Sequence, residues 1–221
     1  MSLNLAQPLP KGCEYLADIA AEVAPKFNLS PYLLLGICYA ESNFGLALKP
    51  SGPAGSGDFI ARQATPERDA LMAKTKLPGV ERKEVPAIKA RGIDHPVTAW
   101  VPTTTGWGLG LFQLDWESHF EFVKTGDWKD AKKAMEYACK LLAGNRKYLA
   151  GKHPELSKVD LERAMIASYN AGAGRINKFL NDKKDIDKAT FHPGYIAKIC
   201  NKADSLAGAS GAFMPQSSPT V

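Results

Sequence analysis

Apolar residues recur at helical spacing along most of the chain. Tyr15, Leu16, Ile19, Ala20 and Val23 predict a helix over 11–24, ended by Pro25, Asn28 and Ser30. Ser30–Pro31 is then a start signal, a serine N-cap with proline at the first helical position. The helix it opens runs through LLLGICYAES and should stop near Asn43–Gly45. A short helix is expected from Thr65–Pro66 to about Lys74, and Thr98–Val101 is the best strand, leading into a turn at Thr103–Gly106. The rest of 49–106 is punctuated by Pro and Gly without strong periodicity, which in compact domains marks a functional or disordered connection. Helices resume after Asp130, which should cap a long one to about Ala150, and after Asp160, which should cap LERAMIASYN. That helix breaks at Gly172 and Gly174, and RINKFLND and PGYIAKICNKADSLA follow. The fold class expected is mainly α (α+β), with a few short strands near 98–116. The domain expected is a single one over 1–207, with a disordered tail over 208–221.

Composition narrows the function. The chain has 221 residues, 45% hydrophobic and 23% charged, an ordinary globular balance. The net charge is +5, and the excess lies after residue 60. That suits an acidic polymer as partner, whereas nucleic acid would call for a denser basic stripe. No apolar run approaches the roughly 18 residues of a membrane span, and the N-terminus shows no signal peptide. The protein is therefore expected to be made in the cytoplasm and carried elsewhere by other means. Cys13, Cys38, Cys139 and Cys200 form no CxxC pair and read as buried thiols, although spacing leaves disulfides open. No metal or cofactor site is expected.

Leu34, Ile37, Cys38 and Glu41 stand at i, i+3, i+4 and i+7, on one helix face. Glu41 thus continues an apolar stripe into the last turn. Lost hydration and the negative end of the helix both favour a protonated carboxyl, the state a general acid requires. The pattern alone leaves open an ordinary glutamate at a frayed helix end, solvated or paired with a lysine.

Three segments, GICYAESNFG at 36–45, GLGLFQLD at 108–115 and ASYNAG at 167–172, resemble in order the motifs of goose-type lysozymes and soluble lytic transglycosylases, and the chain looks like a phage endolysin or an exported antibacterial effector of that family. The goose-type branch matches more closely, because Gln113, Leu114 and Asp115 are followed by His119. The resemblance covers roughly 11–48 and 101–205. It implies a lysozyme-like α+β fold and makes Glu41 the general acid and Asp115 the second acidic residue. It makes Gln113, His119, Tyr169, Asn170 and Tyr195 substrate-binding residues, with Trp107 as the expected sugar-stacking ring. Gly106–Gly110 would offer backbone that a polysaccharide approaches closely.

Two departures bear on mechanism. Glu41 and Asp115 are 74 positions apart, much farther than in the family, so residues 49–100 read as an insertion that could form a lid or wall. A further aspartate that goose-type enzymes carry falls here on Thr104. If two acids are required, Asp115 must serve, or Asp58 or Asp94 must reach in. An inverting hydrolase sets its acid and base about 6.5–9.5 Å apart to admit water, whereas a transglycosylase needs no such base. The activity implied is cleavage of the β-1,4 bond between N-acetylmuramic acid and N-acetylglucosamine in peptidoglycan, by a monomer acting on the wall after release or export. Formation of 1,6-anhydro products, or a non-catalytic wall-binding virion protein, are the alternatives.

Overall fold

The computed structural model describes residues 3–75, 77, 79–209 and 213. The chain forms two compact units, Met1–Ala40 with Met135–Val221, and Glu41–Ala134.

The first unit is helical. It contains α1 (Tyr15–Val23), α2 (Pro31–Ser42) as far as Ala40, most of α5 (Ala131–Lys152), α6 (Lys158–Ala171), α7 (Ala173–Asn181) and α8 (Tyr195–Ala207). α1 starts later than the periodicity predicts, because Gly12 at φ +85° and the Cys13 N–H bond to Pro10 O make a turn first. α2 starts where Ser30–Pro31 predicts, with Ser30 O accepting from Leu34 N at 3.1 Å. The cap of α6 is Ser157 rather than Asp160. Ser157 Oγ accepts from Asp160 N at 3.1 Å and donates to the Asp160 carboxylate at 2.6 Å, so Asp160 completes the cap from the first turn. Gly172, at φ +80°, ends α6, whereas Gly174 lies inside α7.

Leu16, Leu34, Leu35, Ile37, Met135, Leu142 and Ile199 are fully buried, each worth about 1.5–3 kcal/mol when withdrawn from water. α2 passes α8 so closely at Gly36 that a Cβ there would stand 2.7 Å from Ile199 O. Lys198 Nζ donates to Ala40 O at 3.1 Å, adding positive charge near the C-terminal end of α2. All four cysteines are buried thiols, and burial pushes Cys139 up to about 12 and Cys200 to about 11. Of the tail expected to be disordered, residues 210–212 and 214–221 lie outside the described residues. Phe213 N donates to the buried Asp204 carboxylate at 2.8 Å.

The second unit holds β1 (Ser56–Gly57), β2 (Arg62–Gln63), α3 (Pro66–Thr75), β3 (Val80–Val85), β4 (Val97–Pro102), β5 (Gly108–Leu109), β6 (Leu114–Asp115) and the single turn α4 (Phe120–Val123). Its strands form two antiparallel three-stranded sheets, ordered β1-β5-β6 and β2-β4-β3. Strand β4 lies where Thr98–Val101 predicts, and α3 starts at the expected place with Thr65 Oγ1 accepting from Arg68 N at 3.2 Å. Strands also occur earlier than expected, inside 49–100. Those residues share the compact unit that carries Glu41 and Asp115. The core here is Trp107, Leu109, Leu111, Phe112, Leu114 and Trp116. Among the described residues, no helix is long and apolar enough to cross a membrane.

Candidate active site

Helix α2 ends at Ser42, and the chain turns at once through Asn43, Phe44 and Gly45, all at positive φ. Glu41, half-buried, occupies the last turn. Ser42 is buried; its hydroxyl donates to Leu111 O at 2.7 Å and accepts from Gly45 N at 2.9 Å. Gly45 is packed so tightly that a Cβ would stand 3.0 Å from Leu111 Cδ2 and 3.1 Å from the Gly52 carbonyl carbon. The turn after Glu41 is thereby fastened to the 108–115 segment across sixty-nine positions of sequence. Nothing in the spacing of Ser42 announces this role.

Strands β5 and β6 pair Gly108 with Asp115 and Leu109 with Leu114 around a tight turn in which Gln113 sits at φ +47°. Gln113 Nε2 donates to Gly110 O at 3.0 Å. Its Oε1 fills the space over two glycines: a Cβ on Gly57 or Gly108 would come within 2.3 or 2.5 Å of it. A Cβ on Gly106 would meet Gly57 O at 1.8 Å. These glycines therefore serve internal packing of backbone and Gln113, where the sequence suggested a surface approached by polysaccharide.

Asp115 lies at the centre of a charge cluster. Its Oδ2 accepts from Arg62 Nη2 at 2.6 Å, and its Oδ1 accepts from Glu117 N, Ser118 N and Ser118 Oγ, each at 3.1 Å. Arg62 Nη2 also reaches Asp58 Oδ2 at 3.0 Å, and Arg62 Nη1 lies 3.5 Å from Glu117 Oε1. Arg68 pairs with Glu117, and Arg91 stands 3.3 Å from Asp58. Burial pushes the Asp115 carboxyl upward, but the Arg62 bond and charge and the Ser118 donors outweigh it, so its pKa lies below the ordinary range. Asp58, at φ +53°, joins this cluster; Asp94 does not, its side chain being 93% exposed beside His95. Arg62 sits in a stretch with no catalytic motif, among basic residues 62–91 that the sequence offers only as contacts for acidic stem peptides or as a solvated face. Among the described residues, no three His, Cys, Asp or Glu side chains are grouped to hold a metal ion.

No family model matches the chain. Two lysozymes of the g type do. The ostrich (Struthio camelus) protein is 26% identical over 149 residues, covering 65% of this chain and 69% of that protein. The carp (Cyprinus carpio) protein is 28% identical over 130 residues, covering 57% of this chain and 66% of that protein. Over more than half its length the chain is similar to goose-type lysozymes.

In this lysozyme-like chain the second unit carries Glu41, Gln113, Asp115 and His119, and the first carries Tyr169, Asn170 and Tyr195. Asn170 Oδ1 accepts from Phe191 N at 2.7 Å, fixing the loop before α8, and Tyr195 is buried at the first position of that helix. Trp107 is not placed to stack on a sugar. Its ring is fully buried, its Nε1 donates to Ile60 O at 2.8 Å, and the Arg62 guanidinium lies 4.6 Å over it. Burial beside Trp116, with ring centroids 6.1 Å apart, makes it part of the core.

His119 precedes α4, its N–H donating to Asp115 O at 2.9 Å. Burial lowers its pKa, and the Asp115 charge opposes the shift only in part. The unfolded state, with histidine near 6.5, therefore takes up protons before the folded one does as pH falls. His119 thus contributes stability that is full above about pH 6.5 and lost below it, whereas Asp115, also lowered, contributes stability that is lost only below about pH 4. Replacing His119 with Asn should flatten the fall in melting temperature between about pH 7 and 5. An equally steep fall in the variant would contradict this assignment.

Proposed function

We propose that this lysozyme-like enzyme hydrolyses peptidoglycan at the β-1,4 bond between N-acetylmuramic acid and N-acetylglucosamine. The observation that carries the reading is the Ser42–Leu111 bond, which fastens the turn after Glu41 to the segment bearing Gln113 and Asp115. Similarity to two g-type lysozymes supports the same conclusion.

In this mechanism Glu41 gives its proton to the glycosidic oxygen as the bond to the anomeric carbon breaks. Asp115, kept ionised by Arg62, accepts a hydrogen bond from the attacking water. That water becomes strongly acidic as it bonds to the electron-poor carbon, so a carboxylate of lowered pKa can still take its proton. Gln113, held by Gly110 O, His119, Tyr169, Asn170 and Tyr195 are the substrate-binding residues of this proposal.

A second reading, transglycosylation, is favoured by one feature. Asp115 already accepts four hydrogen bonds, and Thr104 supplies no acid. In that case the substrate's own 6-hydroxyl attacks, and Glu41 serves as acid and then base. Mass analysis of products from purified peptidoglycan separates the two. Hydrolysis is expected, giving muropeptides with an ordinary reducing muramic acid. A dominant 1,6-anhydro product, lighter by one water, would replace this reading with the second, and no cleavage would overturn both.

A further inference from the structure

We propose that Arg62 is a positioning residue of the site, fixing the direction and ionisation of the Asp115 carboxylate from within the inserted segment. The inference rests on the functional reading of Asp115 above. It starts from how fully Arg62 is committed. Its side chain is only 11% exposed, lies over the Trp107 ring, and directs Nη2 to both Asp58 and Asp115 and Nη1 toward Glu117. Its Nε is buried with no hydrogen-bond partner among the described residues, so the guanidinium is turned to serve carboxylates at the expense of its own third donor group.

The partners divide the work. Backbone and hydroxyl donors of residues 117 and 118 hold Asp115 Oδ1, and Arg62 holds Oδ2. Asp58, carried on a left-handed turn between β1 and β2, and Glu117 grip Arg62 from other directions. Each is backed by a further arginine, Arg91 on Asp58 and Arg68 on Glu117. Three carboxylates thus face three guanidinium groups, and the cluster is neutral with Asp115 ionised. His119 is a further titratable group beside Asp115. Removing Arg62 leaves a partly buried carboxylate with an excess of negative charge around it, so Asp115 should take up a proton at higher pH.

The test is the pH dependence of peptidoglycan cleavage by wild type, Arg62→Lys and Arg62→Gln. With Arg62→Gln, kcat is expected to fall about tenfold or more with KM nearly unchanged. The acid limb of the profile should move up by about one pH unit. Arg62→Lys should fall between the two, since a lysine keeps the charge but not the planar fork. The double variant Arg62→Gln/Asp115→Asn should be no slower than Asp115→Asn alone, because Arg62 acts through Asp115. An unmoved acid limb, or additive losses in the double variant, overturns the proposal. Should Arg62→Gln fail to fold, Arg62→Lys is followed by carbon-13 titration of the Asp115 carboxyl, where an unchanged midpoint overturns it. The same titration keeps the inference separate from the functional reading. Wild type that cleaves no peptidoglycan overturns the function, and the response of Asp115 to Arg62 is still read directly.

Discussion

Glu41→Gln is expected to abolish peptidoglycan cleavage while leaving the melting temperature close to that of the wild type. The substitution is nearly isosteric and removes the transferable proton, an effect worth about 10²–10⁴ in rate for a general acid. The turn after α2 is held by Ser42, whose hydroxyl bonds Leu111 O and Gly45 N, and by the tight approach of Gly45 to Gly52. Glutamine at position 41 leaves all of these in place. Clearing of permeabilised Gram-negative cells, followed as turbidity, gives the activity, and thermal unfolding of the same sample gives the fold. Activity within about two- to threefold of wild type, in a variant that melts normally, would remove Glu41 from the acid's role.

What the sequence reveals here follows from how local each signal is. Ser30–Pro31 and Asp130 mark helix starts through bonds made within one turn, and both helices begin there: Asp130 Oδ1 accepts from Lys133 N at 2.9 Å. Strand β3 escapes detection because VERKEV, which among the described residues is an edge strand paired with β4, carries four consecutive charged residues in place of an apolar face. Its form is imposed by pairing with β4, which no period in the strand itself discloses. At the site, motif order singles out Glu41 and Asp115, but the groups that fix their surroundings bond across long intervals. Ser42 meets Leu111 and Arg62 meets Asp115 in pairs that no short-range pattern connects. The glycines at 106 and 108 were legible as special positions. Their cause, the close approach of Gly57 and of the Gln113 carboxamide, belongs to tertiary packing.

Trp107 illustrates the same limit, and its replacement carries the largest expected loss of stability. A tryptophan beside a glycine-rich segment reads as a platform for a sugar, yet its ring is wholly enclosed and bonded through Nε1 to Ile60 O. Trp107→Ala removes a large buried ring from against Trp116, leaves the Ile60 carbonyl without that donor, and takes away the surface on which Arg62 lies. The cost should be about 3–5 kcal/mol, as for other buried aromatic truncations. Trp107→Phe keeps an aromatic face but forfeits the indole donor and part of the volume, and should lose less. Denaturant unfolding of both variants measures these costs, and KM for peptidoglycan, taken where the variants remain folded, tests the competing role. A sugar platform would raise KM in Trp107→Ala with little change in stability. A core residue that supports Arg62 gives the reverse, a large loss of stability with KM nearly unchanged.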